Sequence, residues 1–459
     1  MQKRIVLKGT NSITLTNDQS NSLEVLSEWY KSKELCICLN GSAGTGKTTL
    51  AKYFINTCVK GFTEICVAAP THQAKEVISK KTELIGYTIH KLLGIRLDLD
   101  LADFDPENPV YDMKGKGIIE DFDIIIIDEA SMINSKLYEL LLKKANSFGI
   151  KILFLGDELQ LNPVGEKISP VFVQNKTTTL TEIVRQTGDS PLLDLFTVIR
   201  KDIINGTEDY LNLLDKSRVT KSGGYKVYHR QLKSDSTNFL NEVCTHFKNP
   251  INNNKILTWT SKNGVEWNAF TKNKVNPTEE EVYIGDTIVG NVNLYDSGSN
   301  LIFMNSNSYR ITNCIHINKK VEGVMLAILE ITCIDLSSNN TCIYHVIRRE
   351  SYGKYASILL DKLDKARKAR NARVWAKYYN FKSQFLVGIK LETITGRFIE
   401  DKSFTLGYST TIHKSQGSTY DNTFIIHNNI MKNWDVEERT RLVYVALSRT
   451  SNISHIFKN

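Results

Sequence analysis

Short apolar runs alternate with amphipathic stretches along the first part of the chain. Four of these runs have the length of buried strands. They span residues 35–39, 65–69, 124–127 and 152–155. Segments with helical spacing of apolar residues, such as 48–58 and 135–145, separate them. Strands that alternate with helices predict an α/β fold, with a parallel sheet covered on both faces.

Two segments interrupt this alternation of strand and helix patterns. Residues 91–120 carry Asp, Pro and Gly with two aromatic residues, Phe104 and Tyr111, and predict a β-hairpin insertion. From 285 to about 345 the chain shows short β patterns separated by Gly, Asn and Asp, which predict a small inserted β-barrel. A long helical pattern follows at about 355–385, and the α/β rhythm returns at 404.

These changes divide the chain into three predicted domains, which suits its 459 residues. The first α/β domain is expected at 1–190, with the hairpin inserted at about 91–120. The second is expected at 191–285 and 404–459. The inserted barrel, with its long basic helix, is expected at 286–403.

Composition narrows the class of protein only slightly. The excess of 58 Lys and Arg over 50 Asp and Glu gives a net charge of +8, which is mild for a nucleic-acid binder. No apolar run has the roughly 18–20 residues of a membrane helix, and no signal peptide is expected. The eight cysteines lack metal or redox spacing, which favours reduced thiols and a cytoplasmic location.

The sequence GSAGTGKT at 41–48 has the spacing of a phosphate-binding loop between a strand and a helix. Small residues let backbone N–H groups surround phosphate oxygens, and the following helix presents its positive end. Lys47 is expected to reach the β- and γ-phosphates and Thr48 to hold Mg²⁺. The loop therefore predicts ATP and Mg²⁺ as ligands.

Two acids follow the apolar run 124–127 and complete this site. Asp128 is expected in the Mg²⁺ shell, and Glu129 is expected to orient or deprotonate the attacking water. Gln160 follows the next strand and is a candidate sensor of the γ-phosphate. Asp157 is expected only to cap or turn the chain.

Other sequence features distinguish between the classes of phosphate-loop protein. The Asn-Lys-x-Asp stretch of a GTPase is missing, and a small-molecule kinase would leave the second half of the chain unexplained. Nine sequence blocks occur between residues 15 and 449. They are LTNDQ (15–19), GSAGTGKT (41–48), APTHQAK (69–75), TIHK (88–91), DEAS (128–131), GDELQLNP (156–163), LTEIVRQ (180–186), TIHKSQG (411–417) and LVYVALSR (442–449). In this order they resemble the B branch of superfamily 1 helicases, which includes the RecD-like and Dda-like helicases.

The resemblance implies two RecA-like domains with a parallel sheet in each, ATP in the cleft between them, a wedge hairpin in the first and an SH3-like barrel in the second. Gln19 would read adenine, although it also has the position of a capping-box residue. Arg185 and Arg449 would be arginine fingers; either could instead form an ordinary ion pair. The implied ATP contacts are Gln19, Gly41, Ser42, Ala43, Gly44, Thr45, Gly46, Lys47, Thr48, Thr49 and Gly417.

The resemblance also implies a track of single-stranded DNA, gripped from both RecA-like domains with 5′→3′ polarity. Hydroxyl, imidazole and ammonium groups suit phosphate contacts. The implied contacts are Pro70, Thr71, His72, Thr88, His90, Thr410, His413 and Lys414, with Tyr111 or Phe104 as the strand-separating wedge. Either aromatic residue could instead pack on the domain beneath it. Expected partners are single-stranded DNA, forked DNA and a single-strand-binding protein, with the chain acting as a monomer. A phage or mobile-element origin is expected.

The function that these residues and the resemblance favour is an ATP-dependent DNA helicase that moves on single-stranded DNA and unwinds duplex DNA. Two alternatives stay open, namely a translocase that removes bound proteins or remodels forks with little unwinding, and a nucleotide-gated DNA-binding module. The acid-free stretch 365–382 is either a solvated helix face or a surface that braces or contacts DNA.

Overall fold

The computed structural model of the chain describes residues 15–61, 63–97, 111–112, 117–182, 184, 190–248, 253–296, 301–369, 372–392, 398–400 and 402–459. The chain divides into two compact units. The first comprises 1–235 with 411–459, and the second comprises 236–410. The predicted domain limits at 190, 285 and 403 stay predictions. None of the described helices is both long and apolar enough to cross a membrane.

A six-stranded parallel sheet forms the centre of the first part of the chain, as the apolar runs predict. Its strands are β1 (Cys36–Gly41), β2 (Ile65–Ala69), β3 (Gly86–Thr88), β6 (Ile124–Ile127), β7 (Lys151–Gly156) and β8 (Thr177–Leu180). Their order across the sheet is β3-β2-β6-β7-β1-β8. The sheet is parallel throughout, with Cys66 opposite Ile125 and Ile37 opposite Leu153.

Helices cover both faces of this sheet. They are α1 (Asn17–Lys31), α2 (Lys47–Cys58), α3 (His72–Thr82), α4 (Ile89–Leu93), α5 (Ser135–Phe148) and α6 (Pro170–Gln174). Successive side chains of a strand point to opposite faces, so the four isoleucines of β6 serve two cores. Ile125 and Ile127 pack with α5, while Ile124 and Ile126 pack with α1 and α2. The predicted α/β fold is confirmed.

A short antiparallel strand pair lies within the segment 91–120 that the sequence predicts as a hairpin insertion, after α4 ends at Leu93. Strand β4 (Arg96–Leu97) pairs antiparallel with β5 (Tyr111–Asp112), and Leu97 lies opposite Tyr111. Residues 98–110, which include Phe104, lie outside the described part of the chain.

The rest of the first unit is also α/β. Its elements are α7 (Pro191–Asn205), α8 (Tyr210–Leu213), β9 (Arg218–Thr220), β10 (Gly223–His229), β22 (Tyr420–Ile425), α13 (His427–Ile430), α14 (Val436–Ser448) and β23 (Thr450–Lys458). Strand β23 pairs parallel with β22 on one side and with β10 on the other, and β9 adds an antiparallel edge. Segments from residues 218–229 and 420–458 therefore share one sheet.

The second unit contains an antiparallel sheet. Its described elements are α9 (Lys233–Lys248, which begins in the first unit), β11 (Asn254–Thr258), α10 (Ser261–Val275), β12 (Thr287–Gly290), β13 (Leu294–Tyr295), β14 (Leu301–Phe303), β15 (Ser308–Val321), β16 (Val324–Asp335), β17 (Thr341–Ile347), α11 (Tyr352–Ala369), α12 (Ala372–Lys382), β18 (Leu391–Glu392), β19 (Phe398–Glu400), β20 (Phe404–Leu406) and β21 (Ser409–Thr411). Five strands form one sheet in the order β17-β16-β15-β12-β20.

Two features of this unit differ from the sequence expectation. The short β patterns at 309–312 and 325–331 are parts of one long hairpin, β15–β16, whose strands have 14 and 12 residues. The helical pattern at 355–385 corresponds to α11 and α12, which pack through Tyr355 and Phe381 with ring centroids 5.9 Å apart. Residues 370–371 between them lie outside the described part of the chain.

Candidate functional site

The phosphate-binding loop connects the end of β1 to the start of α2. Gly44 and Gly46 have φ angles of 90° and 85°, a left-handed conformation that favours glycine. A Cβ atom on Gly46 would lie 2.6 Å from Nε2 of Gln19. The glycine spacing in the sequence therefore has two local causes, backbone conformation and close approach of α1.

Lys47 folds back over the loop. Its Nζ donates hydrogen bonds to the carbonyl oxygens of Gly41 at 2.6 Å and Ser42 at 3.0 Å. Thr45 closes the same turn, because its Oγ1 donates to the Ser42 carbonyl at 2.9 Å. The ammonium group thus lies at the loop backbone, where a nucleotide phosphate would bind.

Gln19 makes the contacts of a capping box and also contacts the phosphate loop, while its reading of adenine stays a prediction. Its Oε1 accepts from the Thr16 N–H at 3.2 Å, and its own N–H donates to Thr16 Oγ1 at 3.3 Å, which forms a capping box. Its Nε2 donates to the Thr45 carbonyl at 3.0 Å. The side chain therefore joins the start of α1 to the phosphate loop.

Asp128 and Glu129 follow β6 at the edge of the sheet where the phosphate loop lies. Burial raises the pKa of the Asp128 carboxyl, while Lys47 and the Glu129 N–H act to lower it. Burial also raises the pKa of Glu129; the charge of Arg449 acts to lower it and the Asp128 carboxylate raises it further. Glu129 has a φ angle of 57°, an uncommon conformation for a non-glycine residue.

Arg449 ends α14 and is 5 % exposed. Its Nη2 donates to Ser448 Oγ at 2.8 Å, and its Nη1 donates to the Ser418 carbonyl at 3.5 Å. Its charge acts on both Asp128 and Glu129. An arginine from the last blocks of the sequence thus lies within electrostatic range of the acids from the first.

Gln160 is 5 % exposed, and its Oε1 has no hydrogen-bond partner among the described residues. An unpaired buried amide oxygen is energetically costly, and a bound ligand at this place would supply its missing partner. Asp157 forms the expected turn, because its Oδ1 accepts from the Leu159 N–H at 3.2 Å. The same carboxylate also has partners that the sequence does not predict, described below.

Three of the other predicted nucleotide contacts lie in the loop or in the first turn of α2. Thr48 lies half-buried in the first turn of α2, and Thr49 beside it is exposed. Ala43 is half-buried within the loop. Gly417 has a φ angle of 76°, and a Cβ atom there would lie 2.7 Å from Cβ of Ala74, so the block 411–417 packs against the start of α3.

Arg185 lies outside the described residues, but the residue before it is placed. The Val184 N–H donates to the Gly44 carbonyl at 2.9 Å. Asp18 fixes the preceding turn, because its Oδ2 accepts from the Thr181 N–H at 2.9 Å. The chain therefore passes the phosphate loop immediately before Arg185.

The repeated sequence TIHK has the same threonine cap at both positions, although the first copy begins the α-helix α4 and the second leads into a 3₁₀ turn at His413–Ser415. Thr88 Oγ1 accepts from the Lys91 N–H at 3.3 Å, and Thr411 Oγ1 accepts from the Lys414 N–H at 3.4 Å. The isoleucine of each copy is buried, its histidine is half-buried and its lysine is exposed. Each copy is thus a capped turn with one hydroxyl, one imidazole and one ammonium group at its surface. The second copy is preceded by Thr410, which is half-buried in the second unit.

A third threonine cap starts α3. Thr71 Oγ1 accepts from the Ala74 N–H at 3.2 Å, next to half-buried Pro70 and His72. A hydroxyl that accepts from a cap N–H still has its own hydrogen available for a phosphate oxygen. These residues fit phosphate contacts without change of the caps.

The histidines of this set are neutral at neutral pH. Burial lowers the pKa of His72, His90 and His413. Glu438 acts against this shift at His413, with its Oε1 4.0 Å from Nε2. These imidazoles can therefore donate hydrogen bonds to phosphate but do not supply positive charge.

Sequence reasoning missed one buried amide in this region. Gln416 is 4 % exposed, and its Nε2 has no partner among the described residues. It lies one residue before Gly417, within a block that the resemblance selects. The position of Gln416 in that block is the signal that could have identified it.

Comparison with known proteins shows similarity to ATP-dependent DNA helicases over nearly the whole chain. Residues 14–221 match the family described as AAA domain, and residues 406–456 match the UvrD-like helicase C-terminal domain. The chain is 27 % identical to the ATP-dependent DNA helicase dda of Enterobacteria phage T4, over 95 % of this chain and 97 % of that protein. It is 22 % identical to the ATP-dependent DNA helicase Pif1 of Bdellovibrio bacteriovorus, over 96 % of this chain and 87 % of that protein.

A solved structure shares the fold. The Pif1 helicase from Bacteroides in complex with ADP-AlF3 and ssDNA superposes with a TM-score of 0.50 at 18 % identity, covering 97 % of this chain and 92 % of that one. A protein of known structure therefore has the same fold over nearly the whole length of this chain.

Proposed function

The chain belongs to the B branch of the superfamily 1 helicases, and from this premise we propose that it uses ATP hydrolysis to move 5′→3′ on single-stranded DNA and to unwind duplex DNA. The main support is the position of Arg449, whose charge acts on Glu129 beside the phosphate loop. A chain that only bound nucleotide would not need this arrangement of acid, arginine and lysine. Such an activity serves DNA replication, recombination and repair.

Each residue of the site has a role in the hydrolysis step. Lys47 leaves the loop carbonyls and binds the β- and γ-phosphates of ATP. Glu129 accepts a proton from the water that attacks the γ-phosphorus, and its raised pKa makes it a stronger base. Gln160 orients the water or the γ-phosphate through its amide. Gln19 contacts adenine through the second N–H of Nε2 and the second lone pair of Oε1, which its contacts to Thr16 and Thr45 do not use.

The donor set beside the loop fits Mg²⁺, which prefers oxygen ligands. Thr48 supplies a hydroxyl and Asp128 a carboxylate. Asp128 Oδ1 accepts from the Glu129 N–H at 2.9 Å, and no hydrogen bond to Oδ2 is found among the described residues. When bound, Mg²⁺ neutralises charge on the phosphate oxygens.

Arg449 and Arg185 act as arginine fingers. Both would place a guanidinium on the γ-phosphate as negative charge develops in the transition state. The support differs between them: Arg449 lies within electrostatic range of Glu129, and Arg185 follows a backbone contact to the phosphate loop.

The threonine-capped turns bind the single-stranded DNA. Thr71, Thr88 and Thr411 donate their hydroxyl hydrogens to DNA phosphates, and Lys414 adds charge. Phosphate contacts hold a strand without reading its sequence, as a translocating motor requires. Action as a monomer and association with a single-strand-binding protein stay predictions.

Two assays test the proposal in sequence. Stimulation of ATP hydrolysis by single-stranded DNA separates a motor from a nucleotide-gated binding module. Unwinding of forked duplexes that carry either a 5′ or a 3′ tail then separates a helicase from a translocase and fixes the polarity. Unwinding only from the 5′ tail is expected. Strong ATP hydrolysis without unwinding of either substrate would favour the translocase that clears proteins or remodels forks.

The hairpin aromatics are predicted to separate the strands. Tyr111→Ala or Phe104→Ala is expected to slow unwinding of a forked duplex, because stacking of a base on an aromatic ring is worth about 1–3 kcal/mol. Single-stranded-DNA-stimulated ATP hydrolysis should stay unchanged. Wild-type unwinding by both variants would place the wedge elsewhere.

The helical pair α11–α12 is proposed as a further DNA-contacting surface. Its exposed basic side chains are Lys354, Lys365, Arg367, Lys368, Arg373 and Lys377. Lys365 pairs with Asp361, but no ion pair is found for Lys368 or Lys377 within the described ranges. Tyr379 is 56 % exposed and stacks on Trp375 with ring centroids 5.8 Å apart. Exposed cations beside an aromatic pair are typical of nucleic-acid contacts.

Removal of two charges from this surface tests the contact. In Lys368→Gln/Lys377→Gln, the slope of log K against log salt for DNA binding should become less steep by up to about 1.4, since each phosphate contact on a single strand contributes roughly 0.7. The matched control is Lys136→Gln/Lys143→Gln on α5, two exposed lysines of the first unit. Equal slopes for both pairs would show a solvated helix face.

A further inference from the structure

A buried carboxylate joins three parts of the first unit. Asp157 is 1 % exposed and follows β7 directly. Its Oδ2 accepts a hydrogen bond from Tyr444 Oη at 2.6 Å, and its Oδ1 accepts from Arg200 Nη1 at 3.4 Å. Arg200 Nη1 also donates to Tyr444 Oη at 3.0 Å. A strand end, α7 and α14 therefore meet at one carboxylate.

A second arginine, Arg441 of α14, contacts the segment that follows Asp157. Arg441 Nη1 donates to the carbonyl oxygens of Glu158 at 2.7 Å and Gln160 at 2.8 Å. Arg441 is 8 % exposed, and Glu437 balances its charge at 2.9 Å. We call Asp157, Arg200, Arg441 and Tyr444 the Asp157 junction.

The junction connects two side chains of the proposed hydrolysis site. Gln160 lies on the segment that Arg441 holds, and Arg449 lies at the end of the helix that carries Arg441 and Tyr444. Helix α14 is hydrogen-bonded along its length, so a displacement of Tyr444 moves Arg449 with it. The backbone of Gln160 and residue Arg449 are therefore connected to each other through α14.

The chemistry of the junction suits a permanent contact. Burial, followed by the Asp157 charge, raises the pKa of the Tyr444 phenol well above its usual value, so the hydroxyl stays a donor. Arg200 balances the Asp157 carboxylate and lies over the Tyr444 ring, 5.8 Å from its centroid. Asp157 also acts on Glu129, whose pKa its charge raises. A turn alone would need none of these partners.

We propose that the Asp157 junction positions Gln160 and Arg449 relative to each other, so that both reach the γ-phosphate of ATP together in the transition state. This inference rests on the proposed function, because it assigns a role to the same site. The four junction residues are positioning residues that act through Gln160 and Arg449. Their loss should weaken binding of the transition state and leave binding of the ground state intact.

Tyr444→Phe tests the junction by removing one hydroxyl. Affinity for ADP should stay within about twofold of wild type, while affinity for ADP with aluminium fluoride and Mg²⁺ should fall about tenfold, which corresponds to about 1.4 kcal/mol. The value of kcat for ATP hydrolysis should fall by a similar factor, with little change in KM. The control is Tyr210→Phe, which removes another buried hydroxyl of the same unit, 3.2 Å from Nε2 of His427. It should leave both affinities and kcat unchanged.

A double-mutant cycle separates positioning from general destabilisation. Asp157→Asn removes the charge and one of the two acceptor oxygens that Tyr444 and Arg200 use. Its effect and that of Tyr444→Phe on the ratio of the two affinities should be non-additive, because both changes weaken the same hydrogen-bonded group. Wild-type ratios in both single variants, or a loss that only follows their melting temperatures, would overturn the proposal. If single-stranded DNA does not stimulate ATP hydrolysis by the wild-type chain, the proposed function is contradicted. The ratio of the two nucleotide affinities would still decide the role of the Asp157 junction.

Discussion

Glu129→Gln is expected to lower the rate of ATP hydrolysis by about 10²–10⁴-fold, the usual contribution of a positioned general base. Glutamine has nearly the same shape, so the left-handed backbone at residue 129 and the packing around it need not change. The amide cannot accept the proton of the attacking water. ATP binding should therefore persist, and single-turnover hydrolysis measured beside nucleotide affinity checks both parts.

A matched control for this variant is Glu120→Gln, an exposed glutamate shortly before the same strand. It should hydrolyse ATP at the wild-type rate. Hydrolysis by Glu129→Gln within a fewfold of wild type would show that the base lies elsewhere. Loss of nucleotide affinity in parallel with the rate would point to a role of Glu129 in binding.

Arg449→Ala is expected to lower turnover by roughly 10³-fold or more and to leave ATP affinity nearly intact. The guanidinium now donates to Ser448 Oγ and to backbone carbonyls, and these contacts hold it near Glu129. In the transition state its charge would stabilise the γ-phosphate. Steady-state hydrolysis with saturating single-stranded DNA, together with nucleotide affinity, is the measurement.

The pH profile of this variant gives an independent check. The charge of Arg449 lowers the pKa of Glu129, so its removal raises that pKa further. A base with a higher pKa becomes protonated at a higher pH, and the acidic limb of the residual activity should shift upward. Arg449→Lys, which keeps the charge, should keep the limb near its wild-type position. Normal turnover in Arg449→Ala would remove the finger assignment.

Local chemistry explains how much of this site could be predicted. The phosphate loop depends on glycine conformations at Gly44 and Gly46, which residue type alone signals. The strand Ile124–Ile127 is buried on both faces and was therefore visible as an uninterrupted apolar run. The end of this strand also predicted that Asp128 and Glu129, which follow it, lie at the edge of the sheet. Such features depend on neighbours in sequence.

The Asp157 junction could not be predicted in this way. Its partners lie 43 and 287 residues away in the chain, so their approach depends on how the helices pack. The long β15–β16 hairpin was missed for another reason. Exposed Lys319 and Lys320 near its tip have the polarity of a loop, although they pair with Leu326 and Met325 across the strands.

The contacts of Lys47 affect the choice of an inactive control protein. Its ammonium group holds the Gly41 and Ser42 carbonyls, so phosphate binding exchanges one set of hydrogen bonds for another. Truncation of Lys47 to alanine would remove nucleotide contacts and also release the loop backbone. Reduced DNA affinity in such a protein could then arise from a loosened fold. Glu129→Gln leaves these loop contacts in place and is the better reference for experiments on DNA binding without hydrolysis.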